Sequence, residues 1–164
     1  MATYDPDCTA TAVFFAFLGV ACALAFTAIG SGYGTAKSAI GVFAVCSLRP
    51  DFIYRGLMPI IMAGIVGIYG LVSAVIIVPG VTAPGTYHLF SGYSALSAGL
   101  SVGLSGLASG MCIGVAGDAA ARAMADQPKL MMGAMLILIF GEVLGLYGFI
   151  ISIIVSSRSG KCEA

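Results

Sequence analysis

Long uncharged stretches alternate with short charged ones along the chain, and this pattern predicts membrane-spanning helices. Charged side chains are absent from residues 8–36, 56–117 and 130–157, apart from one glutamate in the last stretch. Two Pro-Gly pairs within residues 78–85 force turns and divide the middle stretch. About 20 helical residues cross a bilayer core, so each segment is long enough. We therefore predict an all-α integral membrane protein, with transmembrane helices at about residues 8–46, 53–79, 86–125 and 127–157.

The second half of the chain repeats the first. MAGIVGIYGLV at 62–72 aligns with FGEVLGLYGFI at 140–150 at an offset of 78. Nearer the start of each half, an offset of 80 pairs glycines, namely Gly19 with Gly99, Gly30 with Gly110 and Gly34 with Gly114. We predict a duplicated helical hairpin, with one copy in residues 1–84 and the other in residues 85–164. Both copies run in the same direction, unlike the inverted repeats of many secondary transporters.

Glycines recur at a spacing of four in the first and third spans. Small residues at i and i+4 clear one helix face, so that two helix backbones approach closely. We expect these two spans to form a crowded inner layer and the bulkier second and fourth spans to face lipid. General glycine enrichment of membrane helices is the alternative interpretation. The glycines predicted to pack are Gly30, Gly34, Gly99, Gly103, Gly106, Gly110 and Gly114.

Composition and charge narrow the function. The chain is 60% hydrophobic and 9% charged with a formal net charge of zero, so it offers no basic surface for nucleic acid. Its five cysteines have no spacing typical of a metal site or a disulfide framework. Lys and Arg concentrate in residues 37–55 and 118–129, which the positive-inside rule predicts to be cytosolic loops, with both termini lumenal. In GSGYGTAKS, residues 30–38, Ser31 and Ala36 replace the glycines that a phosphate-binding loop needs.

Glu142 stands near the middle of the last apolar stretch. A charged side chain at the bilayer centre costs several kcal/mol, whereas a protonated carboxyl group is neutral. Three interpretations are open: a structural glutamate bonded to a neighbouring helix, an ion pair with another subunit, and a proton or sodium site. No Lys, Arg, His or Asp lies at a similar depth, which excludes an ion pair within the chain.

Glycine and tyrosine positions sharpen the interpretation of this carboxylate. Gly141 precedes it, and glycines on that face let a neighbouring helix come close. Tyr69 and Tyr147 are the nearest hydroxyl donors by level, and each follows Gly64 or Glu142 by five residues. Either hydroxyl is placed to fix the carboxyl rotamer, while interfacial anchoring is the other role for both tyrosines. Because Gly64 occupies the position equivalent to Glu142, we predict one carboxylate per chain.

Three segments resemble one family. IFGEVLGLYG at 139–148, GVAGDAAARAMADQP at 114–128 and GYGTAKSAIG at 32–41 are similar to the proteolipid c subunit of the vacuolar-type proton-pumping ATPase, of the c or c-prime type. The resemblance covers all four spans. It implies several copies in a membrane rotor ring, with the glycine-rich helices inside and Glu142 as the proton-binding residue. The family usually has Ala before this glutamate, where this chain has Gly141.

The resemblance also implies partners and a location. A stator a subunit supplies half-channels and an intramembrane arginine, and central-stalk subunits couple the ring to ATP hydrolysis, which takes place outside this chain. Paralogous c subunits share such rings in the membrane of a vacuole, a lysosome-like compartment or another acidic organelle. No cofactor is implied, and the expected ion is H⁺. Sodium-translocating relatives have Thr and Gln where this chain has Ile65 and Val66.

Two alternatives belong to other functional classes. A ring-forming pore, or a membrane-contact and fusion proteolipid, is the first. A channel lines its lumen with polar or charged groups, whereas the glycine-rich faces offer only scattered Ser and Thr. The second is a secondary transporter acting alone, which the parallel repeats and the single carboxylate disfavour.

Overall fold

The computed structural model describes residues 10–83 and 87–158. It contains four long helices, which we label α1 (Ala10–Cys46), α2 (Ile53–Ile77), α3 (Leu89–Asp126) and α4 (Met131–Ser156). Single turns of 3-10 helix lie at Pro50–Phe52, Val78–Gly80 and Pro128–Leu130. Each of the four helical segments is long and apolar enough to cross a membrane. The prediction of an all-α protein with four transmembrane helices is confirmed.

The helix ends differ slightly from the predicted ones. The predicted starts at residues 8 and 86, and the division between residues 84 and 85, lie outside the described residues. α1 and α3 extend to Cys46 and Asp126, so much of the segments 37–55 and 118–129 is helical rather than loop. Pro50 and Pro128 each begin a 3-10 turn, where a fixed φ and a missing N–H are tolerated. These turns delay α4 to residue 131.

α1 and α3 run side by side in the same direction and share the most extensive interface of the molecule. A Cβ atom added to Gly30 would lie 2.6 Å from the Gly106 carbonyl oxygen, and one added to Gly34 would lie 2.6 Å from that of Gly110. Carbon atoms in ordinary contact are about 3.5–4.0 Å apart. Glycine is therefore needed at these two positions, where the backbones of α1 and α3 meet.

The remaining glycines of the predicted set also face a neighbouring helix. Gly103 lies against the Cys22 carbonyl, and Gly106 lies against the Thr27 methyl group. α2 packs against α1 and α4 packs against α3, while α2 and α4 touch along their edges. The central pair is thus α1 and α3, and the bulkier helices flank it.

The contacts inside the two hairpins repeat at an offset of 78, which confirms the duplicated hairpin. Hydroxyl side chains of the inner helix lie against glycines of the outer helix in both copies. The pairs are Thr27–Gly70 and Ser31–Gly67 in the first hairpin, and Ser105–Gly148 and Ser109–Gly145 in the second. One offset therefore relates both helices of one hairpin to those of the other.

The glycines that are 80 residues apart lie in contact with each other, although the sequence suggested that they are equivalent positions of the repeat. Gly99 lies against the backbone of Gly19, Gly110 lies against that of Gly30, and Gly114 lies against that of Gly34. The prediction that these glycines are equivalent positions of the repeat is wrong. They are contact partners, because the parallel helices α1 and α3 meet with a small stagger.

Candidate ion-carrying site

Glu142 lies near the middle of α4, half-buried beside α2. The Tyr69 hydroxyl of α2 donates a hydrogen bond of 2.8 Å to its Oε1 atom. The other carboxyl oxygen, Oε2, is buried and has no hydrogen-bond partner among the described residues. The carboxyl group is thus oriented by one hydroxyl from the other hairpin, and one of its oxygens is open to a proton or an ion.

The ring of Tyr69 is held flat against α4. It stacks on Phe149 with ring centroids 5.5 Å apart and an angle of 25° between the planes. Its Cδ2 atom lies 3.5 Å from where a Cβ atom of Gly145 would be. Gly145 and Phe149 are four residues apart and share one face of α4. The Tyr69 ring packs against this face, and its hydroxyl group is thereby directed toward Glu142.

α4 packs closely on α3 at Gly141, the residue before Glu142. The Ser109 hydroxyl donates a buried hydrogen bond of 2.7 Å to the Gly141 carbonyl. A Cβ atom at Gly141 would lie only 3.1 Å from Ile113 Cγ1. Ser109 was not among the predicted residues. The repeat held a signal for it, because the offset of 78 relates Ser109 to Ser31.

Two predicted supporting residues lie away from the carboxylate. The Tyr147 side chain is 60% exposed and makes no hydrogen bond to Glu142 in the described structure. Five residues along an α-helix turn the side chain by about 140°, so Tyr147 points to another face of α4. A Cβ atom added to Gly64 would meet nothing within 4 Å. The structure therefore brings Tyr69 and Gly141 to Glu142, but not Tyr147 or Gly64.

The family model of the ATP synthase c subunit matches the chain twice, over residues 18–77 and 96–155. The two matches cover most of the chain and are separated by the same 78 residues that separate equivalent contacts. The chain belongs to the ATP synthase c subunit family. Members of this family carry protons or other ions and assemble into oligomeric rings in the membrane sector of an ATP synthase or ATPase. They have no catalytic chemistry of their own.

This c subunit keeps its ion pairs at the charged ends of the inner helices. Lys37 Nζ of α1 lies 3.3 Å from Asp118 Oδ2 of α3, and Arg122 Nε lies 2.9 Å from Asp118 Oδ1. Within residues 10–83 and 87–158, no ion pair includes Glu142, and no group of three His, Cys, Asp or Glu forms a metal site. The Glu142 carboxyl is therefore the one acidic group in the transmembrane middle of the described helices.

Proposed function

We propose that this c subunit is a proton carrier in the rotor ring of a vacuolar-type ATPase and that Glu142 is its proton-binding residue. The observation that carries the proposal is the half-buried carboxyl group with Oε1 bonded to Tyr69 and Oε2 buried without a partner among the described residues. A proton on Oε2 makes the group neutral while Oε1 keeps its hydrogen bond. The neutral group crosses lipid at far lower cost than the carboxylate.

Rotation against a stator converts this reversible protonation into transport. A proton enters through a half-channel in the stator a subunit and neutralises Glu142, which then moves past lipid as the ring turns. Near an intramembrane arginine of the stator the carboxylate is favoured, and the proton leaves into a second half-channel. Central-stalk subunits transmit the torque of ATP hydrolysis. The charged helix ends within 37–55 and 118–129 are cytosolic and the termini lumenal, so transport acidifies the lumen of a vacuole, a lysosome-like compartment or another acidic organelle.

The oxygen atoms around the carboxylate favour a proton over sodium. Replacing the hydration shell of an alkali cation takes several oxygen ligands. Tyr69 is the hydroxyl bonded to the carboxyl group, while the nearby Ser109 hydroxyl is engaged by the Gly141 carbonyl. The positions before Tyr69 hold Ile65 and Val66, which have no side-chain oxygen. The site accordingly takes H⁺ and needs no cofactor.

One carboxylate per two hairpins supports the pump assignment. Moving one charge against 100 mV takes about 2.3 kcal/mol. A ring with Gly64 in place of a second carboxylate moves fewer protons per turn, so more free energy from ATP hydrolysis is available for each proton. The vacuolar assignment, and the sharing of the ring with paralogous c or c-prime chains, rest on the resemblance of the three sequence segments.

The Glu142→Gln substitution tests the proposal. The amide keeps the size of the side chain but carries no titratable proton, so ATP-driven acidification of vesicles is expected to fall to the background rate while rings still assemble. Asp126→Asn is the matched control, because Asp126 is exposed at the end of α3, and it should pump normally. A carbodiimide, which attacks protonated carboxyls in apolar sites, should label Glu142 before Asp118 or Asp126. Retained pumping by Glu142→Gln would refute the assignment.

A further inference from the structure

Because the two hairpins are equivalent, each contact between them within one chain predicts an equivalent contact between the second hairpin of one copy and the first hairpin of the next copy. Within one chain, α3 packs against both α1 and α2. It therefore fills the groove between these two helices, which we call the seam of the first hairpin. The equivalent seam of the second hairpin, between α3 and α4, holds an open groove of about 440 Å³. Since α1 is the equivalent of α3, the offset of 78 assigns this groove to α1 of a second copy.

Side-chain sizes in the two seams are complementary. Ala121 of α3 is fully buried in a cluster that includes three larger residues of the first hairpin, Val42, Val45 and Phe52. Their counterparts at the offset of 78 are Ala120, Ala123 and Leu130, which are all smaller and line the groove. The counterpart of Ala121 itself is Phe43, whose side chain is 66% exposed in the single chain. Within the chain, the small Ala121 lies among large residues. Between copies, the repeat predicts that the large Phe43 lies among small residues.

The rest of the Phe43 face of α1 is also shaped for close approach. Ala25, Ala28, Gly32 and Ala36 are exposed on this face at helical spacing. A Cβ atom added to Gly32 would meet nothing within 4 Å in the single chain. The buried glycine face of α1 is occupied by α3, whereas this second small-residue face has no neighbour within the described part of the chain.

We propose that Phe43 of one copy inserts into the groove formed by Ala120, Ala123 and Leu130 of the preceding copy and sets the register between neighbours in the ring. An aromatic side chain buries about 150–250 Å², and packing rather than the hydrophobic effect drives helix association in lipid. The interface joins two different faces, so it is heterologous, which is the kind of interface that repeats around a ring such as those of this family. The proposal rests on the ring assembly of the family and not on the identity of the ion.

Cysteine cross-linking tests the register. A Cβ atom added to Gly117 would lie 2.7 Å from Pro59 Cβ within the chain, and the counterparts of these residues are Ala39 and Ile137. Because Ala39 carries a Cβ atom where Gly117 has none, the Cβ atoms of Ala39 and Ile137 are expected at ordinary contact distance, close to the separation of about 3.5–4.5 Å that a disulfide needs. In a chain whose five native cysteines are replaced by serine, Ala39→Cys with Ile137→Cys should give a ladder of cross-linked chains on a non-reducing gel. α1 has its interfaces with α2 and α3 rather than α4, so the ladder reports contact between copies.

Ile139→Cys replaces Ile137→Cys in the matched control. Ile139 is exposed, and so is its counterpart Ile61, which places Ile139 toward lipid in the ring. This pair should remain monomeric on the gel. Equal ladders from both pairs, or no ladder from the Ala39 and Ile137 pair in assembled rings, would overturn the proposal.

A size swap tests Phe43 directly. Phe43→Ala should lower the temperature at which detergent-solubilised rings dissociate, followed by native gel electrophoresis, while Ile139→Ala should leave it unchanged. Adding Ala120→Val and Ala123→Val to Phe43→Ala places a small residue among larger ones, as in the seam of the first hairpin. The dissociation temperature should then recover much of its decrease. The two valines alone, with Phe43 retained, should lower the dissociation temperature through overpacking.

An unchanged dissociation temperature after Phe43→Ala, or failure of the valines to restore the rings, would overturn the proposal. Both assays measure assembly, so they give the same result in rings that carry Glu142→Gln. A negative result here would therefore leave the proton-carrying function untouched.

Discussion

At the scale of single residues, the orientation of Glu142 depends on one hydroxyl group from the other hairpin. Tyr69 is fixed by its stack on Phe149 and by the absence of a side chain at Gly145. Both α4 residues lie on the same helix face as the hydrogen bond. The carboxyl group of Glu142 is therefore held in a defined rotamer by a side chain of α2.

Tyr69→Phe is expected to impair transport without loss of the fold. Phenylalanine keeps the stack on Phe149 but removes the donor to Glu142 Oε1. A hydrogen bond to a charged group is worth about 1.5–3 kcal/mol, so we expect ATP-driven proton uptake to slow by roughly 10- to 100-fold, because 1.4 kcal/mol corresponds to a factor of about 10. Tyr147→Phe is the matched control and should pump at the normal rate. Equal rates for the two variants would contradict the role of Tyr69.

The candidate site shows which residues a sequence can reveal and which it cannot. Glu142 stands out because a carboxylate in an apolar span is costly, and Tyr69 follows from its level in the repeat. The choice between Tyr69 and Tyr147 requires knowing which hairpin faces which, since both stand at the same level. The repeat pairs Ser109 with Ser31, but a serine in a glycine-rich helix by itself indicates only small-residue packing, and its bond to the Gly141 carbonyl is visible only in the structure.

At the scale of the helices, the α1–α3 pair is limited by backbone contact. Most of the glycines at this interface lie against main-chain atoms of the opposite helix, which cannot move aside as a flexible side chain does. The sequence predicted the crowded pair from glycine spacing. It could not separate contact partners from equivalent positions, because the stagger of two parallel helices changes the offset by only two residues.

Gly110→Ala is expected to destabilise this pair. The added Cβ atom would overlap the backbone of Gly30, and overpacking of this kind costs about 1–3 kcal/mol. Gly64→Ala is the control, because nothing lies within 4 Å of the added atom and alanine favours a soluble helix over glycine by up to about 1 kcal/mol. Thermal unfolding in detergent, followed by circular dichroism, should show a lower midpoint for Gly110→Ala alone. A shared midpoint would mean that α1 and α3 adjust freely.

At the scale of the whole molecule, the duplication makes Glu142 and Gly64 equivalent positions, but only Glu142 carries a carboxyl group. Glu142 faces Tyr69 of its own chain, whereas Gly64 has no tyrosine partner within the described residues. From the offset of 78, we expect Tyr147 of the preceding copy to lie opposite Gly64 in an assembled ring. The exposure of Tyr147 and the open space at Gly64 both agree with this expectation.

A carboxylate moved between hairpins tests this symmetry. In the Glu142→Gln background, Gly64→Glu should restore a measurable part of ATP-driven proton uptake, because the new side chain enters open space at the level that the repeat makes equivalent to Glu142. Its hydrogen-bond donor would be Tyr147 of the adjacent copy. Adding Tyr147→Phe should therefore slow the restored uptake, and adding Tyr69→Phe should not, which reverses the order expected for the unmodified ring.

Ile61→Glu in the same Glu142→Gln background is the control for position. Ile61 is one turn earlier on α2 and exposed, so a glutamate there has a different level and no equivalent tyrosine, and uptake should stay at background. Assembled rings with Gly64→Glu that show no uptake, or that depend on Tyr69 rather than Tyr147, would contradict the equivalence of the two hairpins. Dependence on Tyr147 would instead show that a working carboxylate site in this ring is always built from two successive hairpins, whether or not they belong to one chain.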